Sequence, residues 1–373
     1  MVLLLLALAL ATAPSKPVVS GPHSARAGVF TFRFSSHEAG VKASRLRYRC
    51  TVDRHTPRPC TSPYDVQLRA GRHLLRVQAI DPKGRRSPFG QISVLALGPA
   101  PSVEVGREPV ALTFAQGALW TADYGGGTVT RVDGGRVTAR IQVGGLPGGV
   151  AGAGGSLWVG SFEPDGRLTR IDPATNQVAG RVSPGGQPAG LLGDGNVLWV
   201  ADYSGSVLRL DASTGDVVAR IPIGGQPEAL TLGFGLLWVT NQDGTITAVD
   251  PVTNAVAGEK VTGDDDMDAV SAGSDSLWST SYYDGTLLQI DPSTRKVLRR
   301  IQLGASGGGV LAAGGAVWAS VYGSAEVVRV DAGSGRISRR VPVGDKPRDI
   351  VSDGSNLWVV NQGSDSISRL GSP

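Results

Sequence analysis

The sequence contains few of the residues that most often carry catalysis or bind metal ions. Among 373 residues there are two cysteines and four histidines, and all six lie before residue 74. Two cysteines exclude a disulfide-dense scaffold and a cysteine-ligated metal cluster. The rest of the chain also lacks histidine, the side chain whose ordinary pKa lies nearest neutrality. An imidazole base or a thiol nucleophile is therefore excluded from that part of the protein.

Charged residues are also scarce, at 18%, and they are unevenly distributed. Residues 1–99 contain 15 basic and 4 acidic side chains, a net charge of +11, whereas the remainder contains 21 and 28, a net charge of −7. A basic segment attached to an acidic one suggests an anionic partner, so we expect the N-terminal part to contact the cell envelope. The basic residues of the remainder are not interleaved with its aromatic residues, which argues against nucleic-acid binding.

Long hydrophobic runs are absent except at residues 2–13. Twelve residues span about 18 Å as a helix, which is short of a hydrocarbon core of about 30 Å. The run ends in Ala11-Thr12-Ala13, the small-x-small pattern of a signal-peptide cleavage site, although no basic residue precedes it. We interpret residues 1–15 as a signal peptide or the remnant of a membrane anchor. A secreted or cell-surface protein is expected.

Glycine, in contrast, is abundant, with 53 residues or about 14% of the chain, roughly twice the usual share. Each glycine in a helix interior costs about 1 kcal/mol relative to alanine, so a mainly helical protein is disfavoured. The apolar content of 41% is too high for a disordered chain. The composition favours an all-β fold.

Residues 17–97 predict a small antiparallel sandwich, because short alternating apolar runs are separated by turn residues. The string FTFRFSSHEAG…YRCTVD…PCTSPYDVQLRAGRHLLRVQAIDPKG has an F-x-F strand, two cysteines ten residues apart and a strand ending in A-x-D-x-x-G. It resembles the immunoglobulin-like modules of secreted bacterial multidomain proteins. That resemblance implies a spacer or an adhesion unit.

The two cysteines of this segment are Cys50 and Cys60. In an exported protein we expect them to form one disulfide across a hairpin. The alternative is a metal site that also includes His55 and His73, although the paired C-x-x-C spacing of most zinc sites is missing.

From residue 101 onward the chain consists of repeats of about forty residues. Each repeat contains four β-type runs, as in Ala229–Leu232, Leu236–Thr240, Thr245–Asp250 and Ala255–Val261. Four strands per repeat are typical of a propeller blade, and blades must pack radially because one blade cannot bury both of its faces. All tryptophans occupy one repeat position, at steps of 38, 41, 39, 40, 40 and 40: Trp120, Trp158, Trp199, Trp238, Trp278, Trp318 and Trp358. We therefore predict a seven-bladed β-propeller over residues 101–373, with the tryptophans in its core.

The ends of the repeat array suggest how the ring closes. The last repeat ends with a third strand at Ser366–Leu370, and an orphan fourth strand at Ser102–Val105 precedes the first repeat. We expect the N-terminal strand to complete the last blade, because this pairing covers an otherwise exposed strand edge.

The repeats resemble the YVTN-repeat propellers and the related streptogramin-lyase-like propellers. The matching strings are LWVADYSGSVLRLD, RLTRIDPATNQVAGRV and LWVTNQDGTITAVDPVTNAVAG. The resemblance implies the fold, but this architecture hosts enzymes, binders and scaffolds alike. The lyases cleave cyclic streptogramin antibiotics with a His and Glu constellation and a divalent metal. No lyase residue is carried over, because every histidine here precedes the repeats: His23, His37, His55 and His73.

An acidic loop, Gly263–Asp268, replaces the neutral GGQP or GGLP turn of other repeats. Carboxylate oxygens suit Ca²⁺ or Mg²⁺. The candidate ligands of such an ion are Asp264, Asp265, Asp266 and Asp268. The loop lacks the alternate spacing and the glycine of a calcium loop, so the alternative is a solvated acidic loop without a cofactor.

An aromatic or amide residue stands four positions after each tryptophan, in the loop between the second and third strands. These seven residues are Tyr124, Phe162, Tyr203, Gln242, Tyr282, Tyr322 and Gln362, and Tyr283 adjoins one of them. Exposed aromatic clusters often mark interaction sites. We predict a binding site formed by these residues together with Glu228, Asp268 and Arg348, which should lie nearer the axis on the same face. The alternative is that each aromatic ring packs on the neighbouring blade.

Two other repeated residues are expected to be structural. Aspartate ends the third strand in six repeats, where an Asx-turn would cap the hairpin: Asp133, Asp172, Asp211, Asp250, Asp291 and Asp331. Arginine stands two residues before this aspartate in four repeats and at the equivalent position in the last repeat: Arg131, Arg170, Arg209, Arg329 and Arg369. These arginines would pair with acidic turns, decorate the rim or form a basic stripe.

The sequence thus favours an exported, monomeric, non-catalytic binding or scaffold protein whose ligand is a protein, a peptide or a glycan. One alternative is a divalent-metal-dependent lyase or lactonase-type enzyme that uses carboxylates alone. Another is the sensor or spacer ectodomain of an envelope system. An enzyme predicts several carboxylates converging at one pocket near the axis, whereas a binder predicts a flat aromatic ring without such convergence.

Overall fold

A computed structural model describes residues 13–164 and 166–372, and the chain divides after Pro99 into two structural units. The helices within these residues are short 3₁₀ turns at Ala43–Arg45, Tyr322–Ser324 and Gln362–Ser364. None of the helices in this part of the chain has the length and apolarity needed to cross a membrane. The leader predicted for residues 1–15 lies, except for its last three residues, outside the described part.

The first unit consists of two β-sheets that enclose one apolar core. Phe30 and Phe32 lie at its centre and are 2% and 0% exposed. One sheet contains, in spatial order, β1 (Val18–Ser20), β3 (Gly28–Ser35) and β6 (Tyr64–Leu68). The other contains β2 (Ser24–Arg26), β8 (Gly90–Leu97), β7 (Gly71–Ile80), β4 (Arg47–Val52) and β5 (Arg58–Cys60).

The two cysteines of this unit form the predicted disulfide, Cys50–Cys60, between β4 and β5. The disulfide removes both thiolates from the alternative metal site. His73 instead pairs with Asp53, at 2.8 Å between Nδ1 and Oδ2, and this hydrogen bond raises the pKa of His73. His55 Nδ1 lies 2.9 Å from the carbonyl oxygen of Val52. Both histidines therefore take part in local hydrogen bonding.

Within the described residues, the second unit contains seven antiparallel sheets, numbered here in chain order; six have four strands and sheet 4 has five. Sheet 1 comprises β10 (Pro109–Ala115), β11 (Ala118–Asp123), β12 (Thr128–Asp133) and β13 (Arg136–Gln142). Sheet 2 comprises β14 (Pro147–Ala153), β15 (Ser156–Ser161), β16 (Leu168–Asp172) and β17 (Gln177–Val182). Sheet 3 comprises β18 (Pro188–Asp194), β19 (Val197–Asp202), β20 (Ser206–Asp211) and β21 (Val217–Pro222).

The remaining sheets follow the same order of strands. Sheet 4 comprises β22 (Pro227–Gly233), β23 (Leu236–Asn241), β24 (Thr245–Asp250), β25 (Ala255–Val256) and β26 (Val261–Thr262). Sheet 5 comprises β27 (Met267–Ala272), β28 (Leu277–Ser281), β29 (Thr286–Ile290) and β30 (Val297–Gln302). Sheet 6 comprises β31 (Gly307–Ala313), β32 (Ala316–Val321), β33 (Glu326–Asp331) and β34 (Ile337–Pro342). Sheet 7 comprises β35 (Pro347–Ser352), β36 (Leu357–Asn361), β37 (Ser366–Gly371) and β9 (Ser102–Glu104).

The first strands of consecutive sheets contact one another, and the first strand of sheet 7 contacts that of sheet 1. The sheets therefore follow one another in a closed cycle, which is consistent with a β-propeller. Asp349 of sheet 7 reinforces the closure, because its Oδ2 accepts a hydrogen bond of 3.0 Å from the Leu112 N–H of sheet 1.

The strand pairing predicted for the two ends of the repeat array is present. β9 pairs antiparallel with β37, with Val103 opposite Ile367. Val103 packs against the cluster that contains Ile367 and Trp358. A strand that precedes the first sheet thus completes the last one.

The prediction of one continuous fourth strand at Ala255–Val261 is wrong. β25 and β26 pair with opposite ends of β24, and residues 258–260 between them leave the ladder. Gly258 adopts a positive φ of 66° there, a conformation that glycine reaches without steric cost.

The seven tryptophans are buried between neighbouring sheets, with exposures from 0% to 5%. Trp158 of sheet 2 packs in a cluster with Leu198 of sheet 3, and Trp358 of sheet 7 packs with Leu112 of sheet 1. The expected core role of the tryptophans is confirmed. Because each cluster spans two sheets, the tryptophans join the sheets to one another.

Three of the repeated arginines, Arg131, Arg209 and Arg329, lie over tryptophan rings. The Arg131 guanidinium lies 5.0 Å from the Trp120 ring centroid, and its Nη1 donates to the Pro173 carbonyl oxygen of sheet 2 at 2.6 Å. The Arg209 guanidinium lies 5.5 Å from the Trp199 ring. Arg131, Arg170 and Arg209 therefore each donate to the turn of the next sheet, whereas Arg329 donates to Ser338 of its own sheet.

The Asx-turns predicted after the third strand are present in five sheets. The aspartates that accept turn hydrogen bonds there are Asp172, Asp211, Asp250, Asp291 and Asp331. Asp133 is the exception, because Gly134 and Gly135 follow it with φ of 56° and 81°. Two glycines with positive φ form a two-residue hairpin, so no Asx-turn is needed.

Candidate functional site

The belt is defined here as the seven residues that follow the second strands: Tyr124, Phe162, Tyr203, Gln242, Tyr282, Tyr322 and Gln362. Backbone hydrogen bonds hold its loops against the loops that precede the first strands. Tyr203 N–H donates to the Gln187 carbonyl oxygen at 2.9 Å, and Gln242 N–H donates to that of Gln226 at 3.0 Å. The same bond recurs at Tyr124, Phe162, Tyr282 and Gln362. The two sets of loops therefore share one face of the second unit.

A cavity of about 870 Å³ opens on this face and is bordered by the first strands of all seven sheets. It is called the axial cavity below. The predicted site residues that line it are Tyr124, Phe162, Tyr203, Gln242, Tyr282, Gln362, Glu228, Asp268 and Arg348. Asp266 and Asp349 also line it. Of the other predicted site residues, Tyr322 packs against Tyr282, and Tyr283 is 70% exposed.

Several members of the belt contact their neighbours. The rings of Phe162 and Tyr203 meet edge to face at 5.3 Å, and the Tyr203 hydroxyl donates to Gln242 Oε1 at 2.5 Å. The rings of Tyr282 and Tyr322 lie 5.4 Å apart. The belt residues are half-buried, and six of the seven also border the cavity. The binding and packing interpretations are thus compatible.

The charged side chains reach the axial cavity from the start of three first strands, in sheets 4, 5 and 7. Equivalent positions in the other sheets carry Val110, Gly148, Ala189 and Gly308. Small residues on that side leave the space that the cavity occupies. The strands themselves approach closely, since a Cβ on Gly190 would lie only 2.1 Å from the Glu228 carbonyl oxygen. Glycine is therefore required beside the strand that positions Glu228.

Three carboxyl groups share the acidic side of the cavity. Burial and the charges of Asp268 and Asp266 raise the pKa of Glu228 to about 8. Burial and the charge of Asp268 raise the pKa of Asp266 to about 6. Burial also raises the pKa of Asp268, against the influence of Arg348. Glu228 is consequently largely protonated at neutral pH.

Arg348 is the cation among these lining residues, and it is oriented by an aromatic ring. Its guanidinium carbon lies 5.6 Å from the Tyr322 ring centroid. Its Nε is buried and has no hydrogen-bond partner among the described residues. A single guanidinium thus faces more than one carboxyl group.

Sequence reasoning missed Asp349, whose pKa burial raises to about 6. The other sheets carry glycine or alanine at this position: Ala111, Gly149, Gly190, Ala229, Ala269 and Gly309. The sequence did contain a signal for Asp349, because a charged residue stands there at a position where the other repeats have a small one. Because Asp349 accepts the Leu112 N–H, its role is to join sheets 7 and 1.

The acidic loop is divided between two environments. Asp264 accepts hydrogen bonds from Arg300 Nε at 2.9 Å and from Thr286 Oγ1 at 2.7 Å, whereas Asp265 is exposed. Asp266 and Asp268 line the axial cavity. Within the described ranges, no group of three or more His, Cys, Asp and Glu side chains is arranged to hold a metal ion. The loop is therefore neither wholly solvated nor arranged as a calcium loop.

The geometry departs from the expectation for a simple binder. The belt borders a cavity instead of a flat surface, and carboxyl groups converge near the axis. A volume of about 870 Å³ is in the range of small-molecule sites. The arrangement can enclose a ligand between aromatic rings and acidic groups, and it can also exchange protons with that ligand.

The sequence matches no family model and no curated protein. In structure the chain is similar to hydrazine synthase of Kuenenia stuttgartiensis, with a TM-score of 0.62 and 17% sequence identity. The similarity covers 72% of this chain and 97% of that chain. At this identity it extends to the all-β fold alone.

Proposed function

We propose that this chain is an exported binding protein that takes a small ligand into the axial cavity and does not transform it. In this proposal the second unit is a seven-bladed β-propeller, and an immunoglobulin-like module precedes it. The Cys50–Cys60 disulfide is consistent with an extracytoplasmic location. Contact of the basic first unit with the cell envelope is part of the same proposal.

The observation that carries the proposal is the convergence of the belt on one cavity. Six of its seven members line the same space as Glu228, Asp268 and Arg348. Tyrosine offers a large apolar face and a polar tip, and little conformational entropy is lost when it is fixed at a recognition surface. A cavity of this kind favours a small molecule, or the end of a peptide or glycan chain, over a broad protein surface.

An enzyme is the second candidate, because the carboxyl groups converge as an enzyme requires. A carboxyl group with a pKa of about 8, such as Glu228, remains protonated at neutral pH and so suits a general acid. The metal-dependent lyase or lactonase alternative lacks a cluster of ligands within the residues described. Conversion of a bound ligand, followed by chromatography, separates this candidate from simple binding.

The proposal is tested by thermal shift of the full chain against a panel of small amines, organic acids, short peptides and oligosaccharides. A ligand present at 100 times its Kd adds about 2.7 kcal/mol to the stability, which raises Tm measurably. Each ligand found is then titrated against the double variant Tyr203→Ala/Tyr282→Ala. If these rings anchor the ligand, each should contribute roughly 1–3 kcal/mol to binding.

Phe234→Ala is the control, because Phe234 is an exposed aromatic residue of the second unit that does not line the cavity. We expect it to bind like the unmodified protein. A double variant that melts early while its folded fraction binds normally would show that these rings only pack.

A further inference from the structure

We infer that the acidic side of the axial cavity binds the protonated amino group of a small organic amine whose apolar body lies against the tyrosines of the belt. This inference rests on the proposed function, since it assumes that the axial cavity is the binding site. It adds the chemical class of the ligand.

The balance of charge around the cavity is the first argument. Glu228 lies on the first strand of sheet 4, Asp268 lies on that of sheet 5, and Asp266 lies in the loop just before the latter. Arg348 is the cation among the lining residues, and its guanidinium stacks on Tyr322. Buried carboxylates are costly unless a cation or hydrogen-bond donors accompany them. A cationic ligand supplies what this side of the cavity lacks.

An unsatisfied acceptor is the second and independent argument. Asp266 is only 8% exposed, and its Oδ1 is buried without a hydrogen-bond partner among the described residues. Gln362 Oε1, on another wall of the same cavity, is likewise buried without a partner there. Buried polar atoms in folded proteins nearly always have a partner. An ammonium group carries three N–H donors and no acceptor, which suits a site with free acceptors.

The aromatic residues lie where the rest of such a ligand would be. Tyr203 is close enough to Glu228 and Asp266 for their charges to raise its pKa, after the larger effect of burial. Tyrosine faces attract cations and also cover apolar groups. An amine with a flat or apolar body therefore fits the cavity better than a bare metal ion does.

A consequence for pH follows from the groups that face this site. An ammonium ion beside Glu228 and Asp266 favours their ionised forms, so binding lowers their pKa and releases protons near neutrality. Affinity should consequently rise with pH until the ligand amine itself loses its proton. The other charged or titratable groups that line the cavity around this site are Asp268, Asp349, Arg348, Tyr124, Tyr203 and Tyr282.

The test is isothermal titration of the full chain with three probes that share one body: phenethylamine, phenethyl alcohol and phenylpropanoate. At about pH 8, where all three keep their intended charge, phenethylamine should bind roughly tenfold or more tightly than the alcohol. Glu228→Gln, which keeps the shape and removes the charge, should weaken phenethylamine roughly tenfold and leave the alcohol unchanged. Glu326→Gln is the matched control, since Glu326 pairs with Arg340 and does not line the cavity.

Three other results of this titration would contradict the inference. If the alcohol binds as tightly as the amine and Glu228→Gln changes neither, the inference is wrong although the cavity is a binding site. If phenylpropanoate binds best, the site is an anion site centred on Arg348, and the inference is again wrong. If none of the probes binds at about 10 mM, the inference fails, and the panel with the Tyr203→Ala/Tyr282→Ala variant then decides the proposed function separately.

Discussion

At the scale of single residues, burial of the Glu228 carboxyl group lowers the stability of the folded chain, although the fold does not require an acidic residue at this position. The equivalent positions of sheets 2 and 3 are Gly148 and Ala189, so the architecture accepts a small neutral residue there. Burial beside Asp268 and Asp266 makes the ionised carboxylate unfavourable. Residues that reduce stability in this way cluster at functional sites, because their properties serve a ligand or a reaction.

The raised pKa of Glu228 predicts that the free energy of unfolding depends on pH. The pKa of Glu228 is about 8 in the folded chain against an ordinary value of 4.5, so the folded state holds its proton more tightly than the unfolded state. Stability should therefore fall as the pH rises from about 4.5 to about 8, by about 1.4 kcal/mol per unit of pKa difference at most. Glu228→Gln should flatten this fall, matching the unmodified protein at about pH 5 and exceeding it at about pH 8.

Urea unfolding followed by tryptophan fluorescence measures this effect, since all seven tryptophans lie in the second unit. Glu326→Gln serves as the control and should keep the slope of the unmodified protein. Identical slopes for Glu228→Gln and the unmodified protein would show that Glu228 titrates normally.

At the scale of elements, the repeat pattern predicted much of the second unit because its signals are local. Turn residues, alternating apolar residues and one tryptophan per repeat determine where each strand runs. The interruption of the fourth strand of sheet 4 was missed because apolar residues stand on both sides of it, at Val256 and Val261, while Gly258 leaves the ladder. The disulfide and the pairing of β9 with β37 were predictable because each had one available partner.

The β9–β37 pairing predicts a position of unusual sensitivity far from the cavity. Val103 packs into the cluster that contains Trp358, so Val103→Asp should place a charge against that core. We expect the second unit to lose about 1–3 kcal/mol of unfolding free energy, read from the urea midpoint by tryptophan fluorescence.

Val218→Asp is the comparison, because Val218 also lies in a fourth strand but is 59% exposed. It should change the midpoint little. Equal and small effects of both substitutions would mean that β9 does not hold the ring closed.

At the scale of the whole molecule, the cycle of seven sheets creates a space that no single repeat encodes. Each first strand contributes three to five residues to the lining of the cavity, so its chemical character is seen only when equivalent positions of the seven sheets are compared. Glu228 and Asp268 were found in sequence because they interrupt an otherwise neutral loop pattern. The size of the cavity and the position of Asp266 in its lining could not be predicted from the sequence, since both depend on how closely the first strands approach one another around the ring.

The central claim is that the axial cavity is the binding site, and a crystal of the full chain soaked with para-bromophenethylamine tests it most directly. Bromine scatters anomalously, so the ligand is located without interpretation of weaker density. We predict one strong bromine peak in the axial cavity beside Tyr203 and Tyr282, with the amino nitrogen directed toward Glu228 and Asp266. Bromine peaks confined to the outer surface of the sheets, with the cavity holding only solvent, would contradict the account.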